Sequence, residues 1–372
     1  MNEESGMRNE ELQHASPTGS PDNSSFLIPH SSLPDTAIVI LNWNGAKFLR
    51  EFLPGVIACA DGARVVVADN ASTDDSVELL ARDFPAVELL LLDQNYGFCE
   101  GYNHALRQVD SDYFVLLNSD VAVTPGWLQP LHQLLAANPR IAAVQPKILA
   151  HADPTLFEYA GGGGGYLDRL AYPFCRGRLF DTLEKDLRQY DDPRPVAWAT
   201  GACLLVRASA WRALGGLEPA FFAHMEEIDL CWRFWNAGHE VWYHGGSAVQ
   251  HVGGGTLPKS SPRKTYLNFR NGLALLYKNA APGEVRSALW QRVLLDWVAL
   301  ARFLLAGNWP EARAVWSAHW HVFQKRRYWQ QQRQAAQPHL RVAQRPGVYA
   351  GSLVWAYFVQ GKRKFSELGL KG

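Results

Sequence analysis

The chain has 372 residues, 47% hydrophobic and 19% charged, which fits a globular protein with a core large enough for one or two domains. Formal net charge is zero, so no nucleic-acid partner is expected. The balance is uneven, however: residues 284–372 hold fourteen Lys or Arg against four Asp or Glu, together with seven of the fourteen Trp.

Residues 1–35 are rich in Ser, Pro, Asn and Glu and predict a disordered tail. A buried strand is expected over 36–41, ending at Asn42-Trp43-Asn44-Gly45, followed by a helix over 46–59. A second strand, 64–68, ends at Asp69-Asn70, and Ser72-Thr73-Asp74-Asp75 leads into a helix over 76–83. A third strand spans 87–92, then a loop Asn95-Tyr96-Gly97-Phe98 and a helix over 100–109. Tyr113 to Leu117 is a fourth strand, apolar throughout and closed by Asn118-Ser119-Asp120. Strands alternating with helices predict a doubly wound, mostly parallel α/β sheet, with Asn44, Asp69 and Asp120 along one edge. Ligands of open α/β sheets bind there, and Asp120 reads either as a turn residue or as a hard oxygen ligand for a divalent cation. No G-x-G-x-x-G or G-x-x-x-x-G-K-[ST] follows any of these strands, which disfavours dehydrogenases and P-loop enzymes.

Further along, a helix is predicted over 125–138 with Pro125 in its first turn, and a strand over 142–149. Gly161 to Gly165 must be mobile or closely packed on something. Residues 166–195 have weak periodicity and are taken as an excursion beside the crevice, suited to acceptor specificity. Ala199 to Val206 returns to a strand. Glu226-Glu227-Ile228-Asp229-Leu230-Cys231-Trp232-Arg233 opens a helix in which Asp229 and Arg233 are spaced to pair. Glu227 shares the face of Leu230, Cys231 and Phe234, so it should point inward. Short strands are expected over 240–244 and 248–252, the second carrying His251, which reads as a metal or phosphate contact or as a structural histidine. Helices cover 266–279 and the basic, Trp-rich segment 281–372. That segment suits either an anionic membrane surface or a plain helical core.

The five cysteines are scattered, odd in number and without CxxC spacing, which argues against a zinc site or disulfide framework and fits a reducing compartment. No signal-peptide pattern is visible and no stretch reaches the ~18 apolar residues of a spanning helix. A cytoplasmic protein, peripheral at most on the inner face of a membrane, is expected.

The order of motifs resembles family 2 glycosyltransferases, in their rhamnosyltransferase-like branch. The resemblance rests on Ile-Val-Ile-Leu-Asn-Trp-Asn at 38–44, Val-Ala-Asp-Asn-Ala-Ser-Thr-Asp at 67–74, Asn-Tyr-Gly-Phe at 95–98 and Leu-Asn-Ser-Asp at 117–120. Ala-Thr-Gly-Ala at 199–202, the acidic helix at 226–233 and His251 continue it. It implies a GT-A fold over 36–280, a nucleotide-diphosphate-sugar donor, Mg²⁺ or Mn²⁺, and inversion at the anomeric carbon. The acceptor would be a glycan or lipid-linked hydroxyl in cell-surface polysaccharide synthesis. Carried over by position, Asp69 would hold the donor's base or ribose. Asn42, Asn44, Asn70, Ser72, Asn95, Gly97, Asn118, Gly201, Ala202 and Arg270 would complete the donor site. Asp120 and His251 would serve the metal, and the pair Glu226 and Glu227 the catalytic base. Helix phasing favours Glu227 as the base, with Glu226 about 100° away and facing solvent or the acceptor entrance. The sequence departs from the family in two places: its metal motif is Asn-Ser-Asp, with one carboxylate, and its acidic pair is Glu-Glu. A sugar-nucleotide pyrophosphorylase and an inactive nucleotide-sugar-binding protein are the alternative readings. Sugar, linkage and oligomeric state are left open.

Overall fold

The structure, a computed structural model, describes residues 34–253, 261–336 and 345–370. The expected disordered tail lies outside the described residues apart from its last two. The elements are, in order, β1 (Thr36–Asn42), α1 (Ala46–Ala58), β2 (Arg64–Asp69), α2 (Ser76–Asp83), β3 (Glu88–Leu91), α3 (Gly97–Gln108) and β4 (Tyr113–Leu117). There follow β5 (Val121–Val123), α4 (Leu128–Ala137), β6 (Ile141–Ala150), β7 (Gly165–Asp168), β8 (Pro173–Cys175), β9 (Arg178–Leu179), β10 (Thr182–Leu183), β11 (Arg194–Pro195) and β12 (Cys203–Arg207). The rest are α5 (Ala208–Ala213), α6 (Glu226–Asn236), β13 (Glu240–His251), α7 (Pro262–Asn279), α8 (Val285–Leu305), α9 (Trp309–Gln324), α10 (Arg326–Ala336), β14 (Val348–Tyr349) and α11 (Leu353–Phe358).

The main sheet runs β11-β13-β6-β12-β4-β1-β2-β3, with β5 paired to β13. Apolar runs such as Ile-Val-Ile in β1 are explained by burial on both faces. Ile38 and Ile40 pack with Leu49, Leu53, Val67, Leu117 and Leu131 on one side. Ala37 and Val39 pack with Tyr102, Ala105, Phe114 and Leu230 on the other. The β3-β2-β1-β4 half is parallel, in the register Asn42↔Asp69 and Ile40↔Leu117. Beyond β4 the sheet is mixed: β12 runs antiparallel to both β4 and β6, and β13 is parallel to β6. The α/β architecture with flanking helices is as expected, while the unbroken parallel run ends at β4. A strand buried on both faces has the same apolar run whichever way it points, so direction is invisible in composition.

Several boundaries also differ from expectation. The two short strands at 240–252 are one strand, β13, broken in register between His244 and Ala248. α3 begins at Gly97, whose φ of +73° lets the chain turn directly from the Asn95 loop into the helix. Pro125 lies in a turn closed by Trp127 N to Thr124 O (3.2 Å), three residues before α4 starts. Ala199 to Ala202 forms a turn ahead of β12 rather than its first half.

The glycine run is packed, not loose. A methyl group on Gly165 would fall 2.2 Å from Trp198 Cδ2, and one on Gly162 would fall 2.7 Å from the Arg176 carbonyl. The excursion after it folds into a second sheet, β10-β9-β8-β7-β14, completed from the C-terminal segment by Val348↔Leu167. That segment also shares the main core: Trp329, Leu353, Phe365 and Leu368 are buried with Phe174, Phe221 and Tyr166. Arg292 and Asp296 of α8 pair at 3.0 Å, and Tyr172 donates to the same carboxylate at 3.0 Å. Residue 280 is therefore not a seam in the packing.

Candidate active site

The parallel half of the sheet brings the ends of β1, β2 and β4 together. Asn42 Nδ2 donates to Asp69 Oδ1 (3.0 Å) and to Ser72 Oγ (3.2 Å). Ser72 N donates to Asp69 Oδ2 (2.9 Å), and Asn44 N to Ser72 Oγ (2.9 Å). Asn44 sits at φ +52° and accepts from Thr73 N (2.7 Å). Asn70 reaches the next loop, donating to Asn95 Oδ1 (3.1 Å) and Gly97 O (3.0 Å) and accepting from Tyr96 N (2.9 Å). Thus Asn42, Asn44, Asp69, Asn70, Ser72, Asn95 and Gly97 form one continuous polar network. Asn42 Oδ1 is buried without a partner. A Cβ on Gly45 would stand 2.3 Å from it, so glycine is what leaves that oxygen room.

One strand away is the Asn118-Ser119-Asp120 turn. Asn118 N donates to Ala202 O (3.0 Å), which fixes the turn against the 199–202 segment. His251, at the end of β13, places Nε2 3.1 Å from Asp120 Oδ1 and 3.4 Å from Asn118 Nδ2. Pairing of β13 with β5 produces this meeting, since His251 is in register with Val121. On its other side His251 Nδ1 lies 3.5 Å from Glu158 Oε2, a residue that sequence reasoning missed because nothing in its neighbourhood marks it. Burial disfavours charge on this imidazole, but the hydrogen bonds and charges of Asp120 and Glu158 outweigh it and raise its pKa to about 10.

Among the described residues no three His, Cys, Asp or Glu side chains form a ready metal cage. The donor set still suits a hard cation. Asp120 offers a carboxylate and Asn118 and Ser119 neutral oxygens, while His251, whose two ring nitrogens face Asp120 and Glu158, could ligate only by giving up a proton as the cation enters. Such a sparse set fits an ion that keeps waters and takes its remaining ligands from substrate phosphates.

α6 supplies the acidic pair. It is preceded by a run of positive φ at Phe222 (+66°), His224 (+67°) and Met225 (+72°), costly for residues with side chains. Asn271 Nδ2 holds this run by donating to the carbonyls of Phe221 (3.1 Å), Ala223 (2.9 Å) and His224 (2.6 Å). Arg270 supports the same run, with Nη2 donating to Phe221 O (2.7 Å) and Nε to Asn271 Oδ1 (2.8 Å). Its hydrogen-bond partners are thus Asn271 and the Phe221 carbonyl. Phe222 lies over Gly97, where a Cβ would come within 2.9 Å of its ring, and so joins the acidic loop to the donor loop.

Glu227 packs its Cβ against Gly201: a Cβ there would be 3.7 Å from Glu227 Cβ and from Phe98 Cζ. The next residue, Ala202, accepts from Asn118 N, two residues before Asp120. Burial pushes its pKa up to about 7, although its helix-terminal amides work the other way. Glu226 does not face solvent as expected. It is buried, with Oε2 unpartnered, because the outer side of α6 is covered and the helix is enclosed nearly all round. Burial, with the charge of Glu227 next, raises its pKa well above the usual carboxylate range. Both acids are thus held with raised pKa values, Glu226 the further, and each leaves Oε2 buried without a partner. Asp229 is structural, bonded to Arg233 (2.8 Å), Lys278 (3.0 Å) and Asn279 (2.7 Å), as its spacing to Arg233 predicted in part.

Comparison with known proteins agrees with this geometry. Residues 37–194 match the family model "Glycosyl transferase family 2". The chain is 28% identical over 232 residues to an N-acetylglucosaminyl-diphospho-decaprenol L-rhamnosyltransferase of Mycobacterium tuberculosis, covering 58% of this chain and 75% of that protein. It is 27% identical over 225 residues to a pre-mycofactocin glycosyltransferase of the same species, covering 58% of this chain but only 42% of that one. The fold is similar to that of GalNAc-T7 crystallised with UDP, GalNAc and Mn²⁺, with a TM-score of 0.52 at 15% identity. That match spans 67% of this chain and about half, 48%, of the other. Residues 37–194 thus match the family 2 glycosyltransferases, the chain is similar to their rhamnosyltransferase-like branch, and its fold is of the GT-A type.

Proposed function

We propose that the chain is an inverting, divalent-cation-dependent transferase that moves a hexose of the rhamnose type onto a hydroxyl of a glycan or lipid-linked acceptor. The rhamnosyltransferase relative supports the sugar and the acceptor class. The observation that supports the mechanism is the packing of Glu227 Cβ on Gly201, whose neighbour Ala202 is hydrogen-bonded to Asn118 of the Asn118–Asp120 turn.

The Asp69, Asn42, Ser72 and Asn70 network would seat the nucleoside at the β1 and β2 ends. Asp120 and His251 would hold Mg²⁺ or Mn²⁺, which when bound offsets charge on the leaving diphosphate. Glu227 accepts the proton of the acceptor hydroxyl as its oxygen bonds to the anomeric carbon. The bond from that carbon to the diphosphate breaks, and the nucleoside diphosphate leaves with the electron pair. One base on the face opposite the leaving group gives inversion, and no side-chain nucleophile is needed. Glu226, its pKa raised the further of the two, leaves Glu227 as the readier proton acceptor.

The test is product stereochemistry. Transfer from a defined α-linked donor should give a β-linked product by NMR, and a chelator should stop it. Retention of configuration, or full turnover in chelator, would remove the corresponding part of the reading.

A further inference from the structure

The C-terminal helices bury one side and leave the other bare. Of the seven Trp in residues 284–372 only Trp329 is buried, stacked on Phe221 at 5.6 Å. Trp290, Trp297, Trp309, Trp316, Trp320 and Trp355 remain 37–75% exposed. On α8 the exposed apolar positions Trp290, Leu294, Trp297 and Leu305 recur at helical spacing, and on α9 so do Trp309, Trp316, Trp320 and Phe323. The two stripes are neighbours, because Trp297 and Trp316 meet edge to face at 5.5 Å. α11 extends them, with the Arg302 guanidinium 5.5 Å from the Phe358 ring. The result is an apolar surface shared by α8 and α9, with α11 meeting it through Arg302 and Phe358.

Its border is basic. Arg302, Lys325, Arg326, Arg327, Arg363 and Lys364 are exposed, against Glu284 and Glu367 of the opposite sign. Within 284–372 the sequence carries ten more positive than negative side chains. Arg326 lies over Phe323 at 4.8 Å, so charge and ring reach the same edge. No helix among the described residues is long and apolar enough to cross a membrane.

We infer that the α8–α9–α11 face lies on an anionic lipid bilayer. Trp rings and arginines at one surface suit the boundary between headgroups and acyl chains, and each basic residue adds attraction to anionic lipid. A second copy of the chain is a poorer occupant, since it would set one basic rim against another. The same face leads towards the crevice. Tyr266 packs on His321 (6.2 Å), next to Trp320, and Arg263 from the first turn of that same α7 lies 5.4 Å from the Phe222 ring beside the acidic pair. A bilayer seated here brings its surface near the side where an acceptor would enter.

The inference goes beyond the proposed reaction, and its test uses binding alone. The full chain is floated with vesicles of phosphatidylcholine, with and without 30 mol% phosphatidylglycerol, at about 50 mM and 500 mM salt. We expect flotation with the anionic vesicles at low salt and at least a ~10-fold weaker partition at high salt. Trp316→Ala with Trp320→Ala, and separately Lys325→Glu with Arg327→Glu, should each lower the anionic partition at least ~10-fold while melting temperature and circular dichroism stay unchanged. These residues are exposed, so either pair keeps the test alive if the other misfolds. Overturning results are no flotation at either salt, equal flotation of both variants and the parent, or a dimer in sedimentation that the Trp pair abolishes.

Discussion

Replacing Glu227 by Gln should move catalysis and folding in opposite directions. The substitution keeps shape and hydrogen-bonding size but removes the proton acceptor. Loss of a general base costs on the order of 10²–10⁴-fold in kcat, with donor binding retained. The pH dependence is sharper evidence. The active form is the ionised carboxylate, so the rate should rise with pH through the folded pKa. With burial raising that value towards neutrality, the rate should climb between pH 6 and pH 8. An ordinary glutamate, near 4.5, would give a flat profile over the same range. Stability runs the other way. A carboxyl whose folded pKa is raised contributes stability below its unfolded pKa, and this is lost as pH climbs through the folded value. At pH 8 Glu227→Gln should therefore be more stable than the parent, by on the order of 1–3 kcal/mol, and at pH 4 no more stable. Glu226→Gln should change kcat much less, since Gln resembles the neutral acid already present. The assays are nucleoside-diphosphate release between pH 5.5 and 8.5 and thermal melts at pH 4 and 8. A larger loss from Glu226→Gln, or a flat pH profile in the parent, would refute the assignment.

Other expected outcomes follow from the same contacts. Asp120→Asn should abolish transfer and weaken Mn²⁺-dependent donor binding at least ~10-fold by calorimetry, with little change in melting temperature without metal; near-normal turnover would remove its metal role. Asn271→Ala removes the donor to the Ala223 and His224 carbonyls, leaving Phe221 O to Arg270, and should cost on the order of 1–3 kcal/mol in urea unfolding. Its kcat should fall more than its donor affinity. Lys278→Met leaves Glu218 (2.9 Å) and Asp229 (3.0 Å) without a shared buried cation and should destabilise by roughly 3–5 kcal/mol. Gly165→Ala would force a methyl into Trp198 and should lower the melting temperature sharply, through overpacking of about 1–3 kcal/mol or more.

The parallel half of the fold and the gathering of polar residues at the ends of β1 and β2 are legible in the sequence. Period, capping residues and strand-end carboxylates are local signals, and Ser76 to Asp83 forms a helix with the bounds predicted. The direction of β12 is not legible, because burial on both faces erases the difference. Glu226 departs from expectation for a related reason: amphipathic phasing assumes that one helix face meets water, and α6 is enclosed nearly all round. Glu158 meets His251 only through the fold, 93 residues apart in sequence, so no spacing rule could find it. Arg270 and Asn271 look like any basic or polar pair in a helix until the strained run they hold is seen. Of the seven Trp in the basic segment, Trp329 packs in the core and six lie at the surface, a split that composition does not reveal.

Transfer of a sugar from a nucleotide donor in this crevice is tested most simply by nucleoside-diphosphate release. The parent, Asp69→Asn and Glu227→Gln would each be given a panel of nucleotide sugars in Mn²⁺. The geometry predicts release from at least one donor by the parent, weak donor binding in Asp69→Asn, and normal binding without turnover in Glu227→Gln. Release that persists unchanged in both variants, or no release and no binding with any donor, would contradict it.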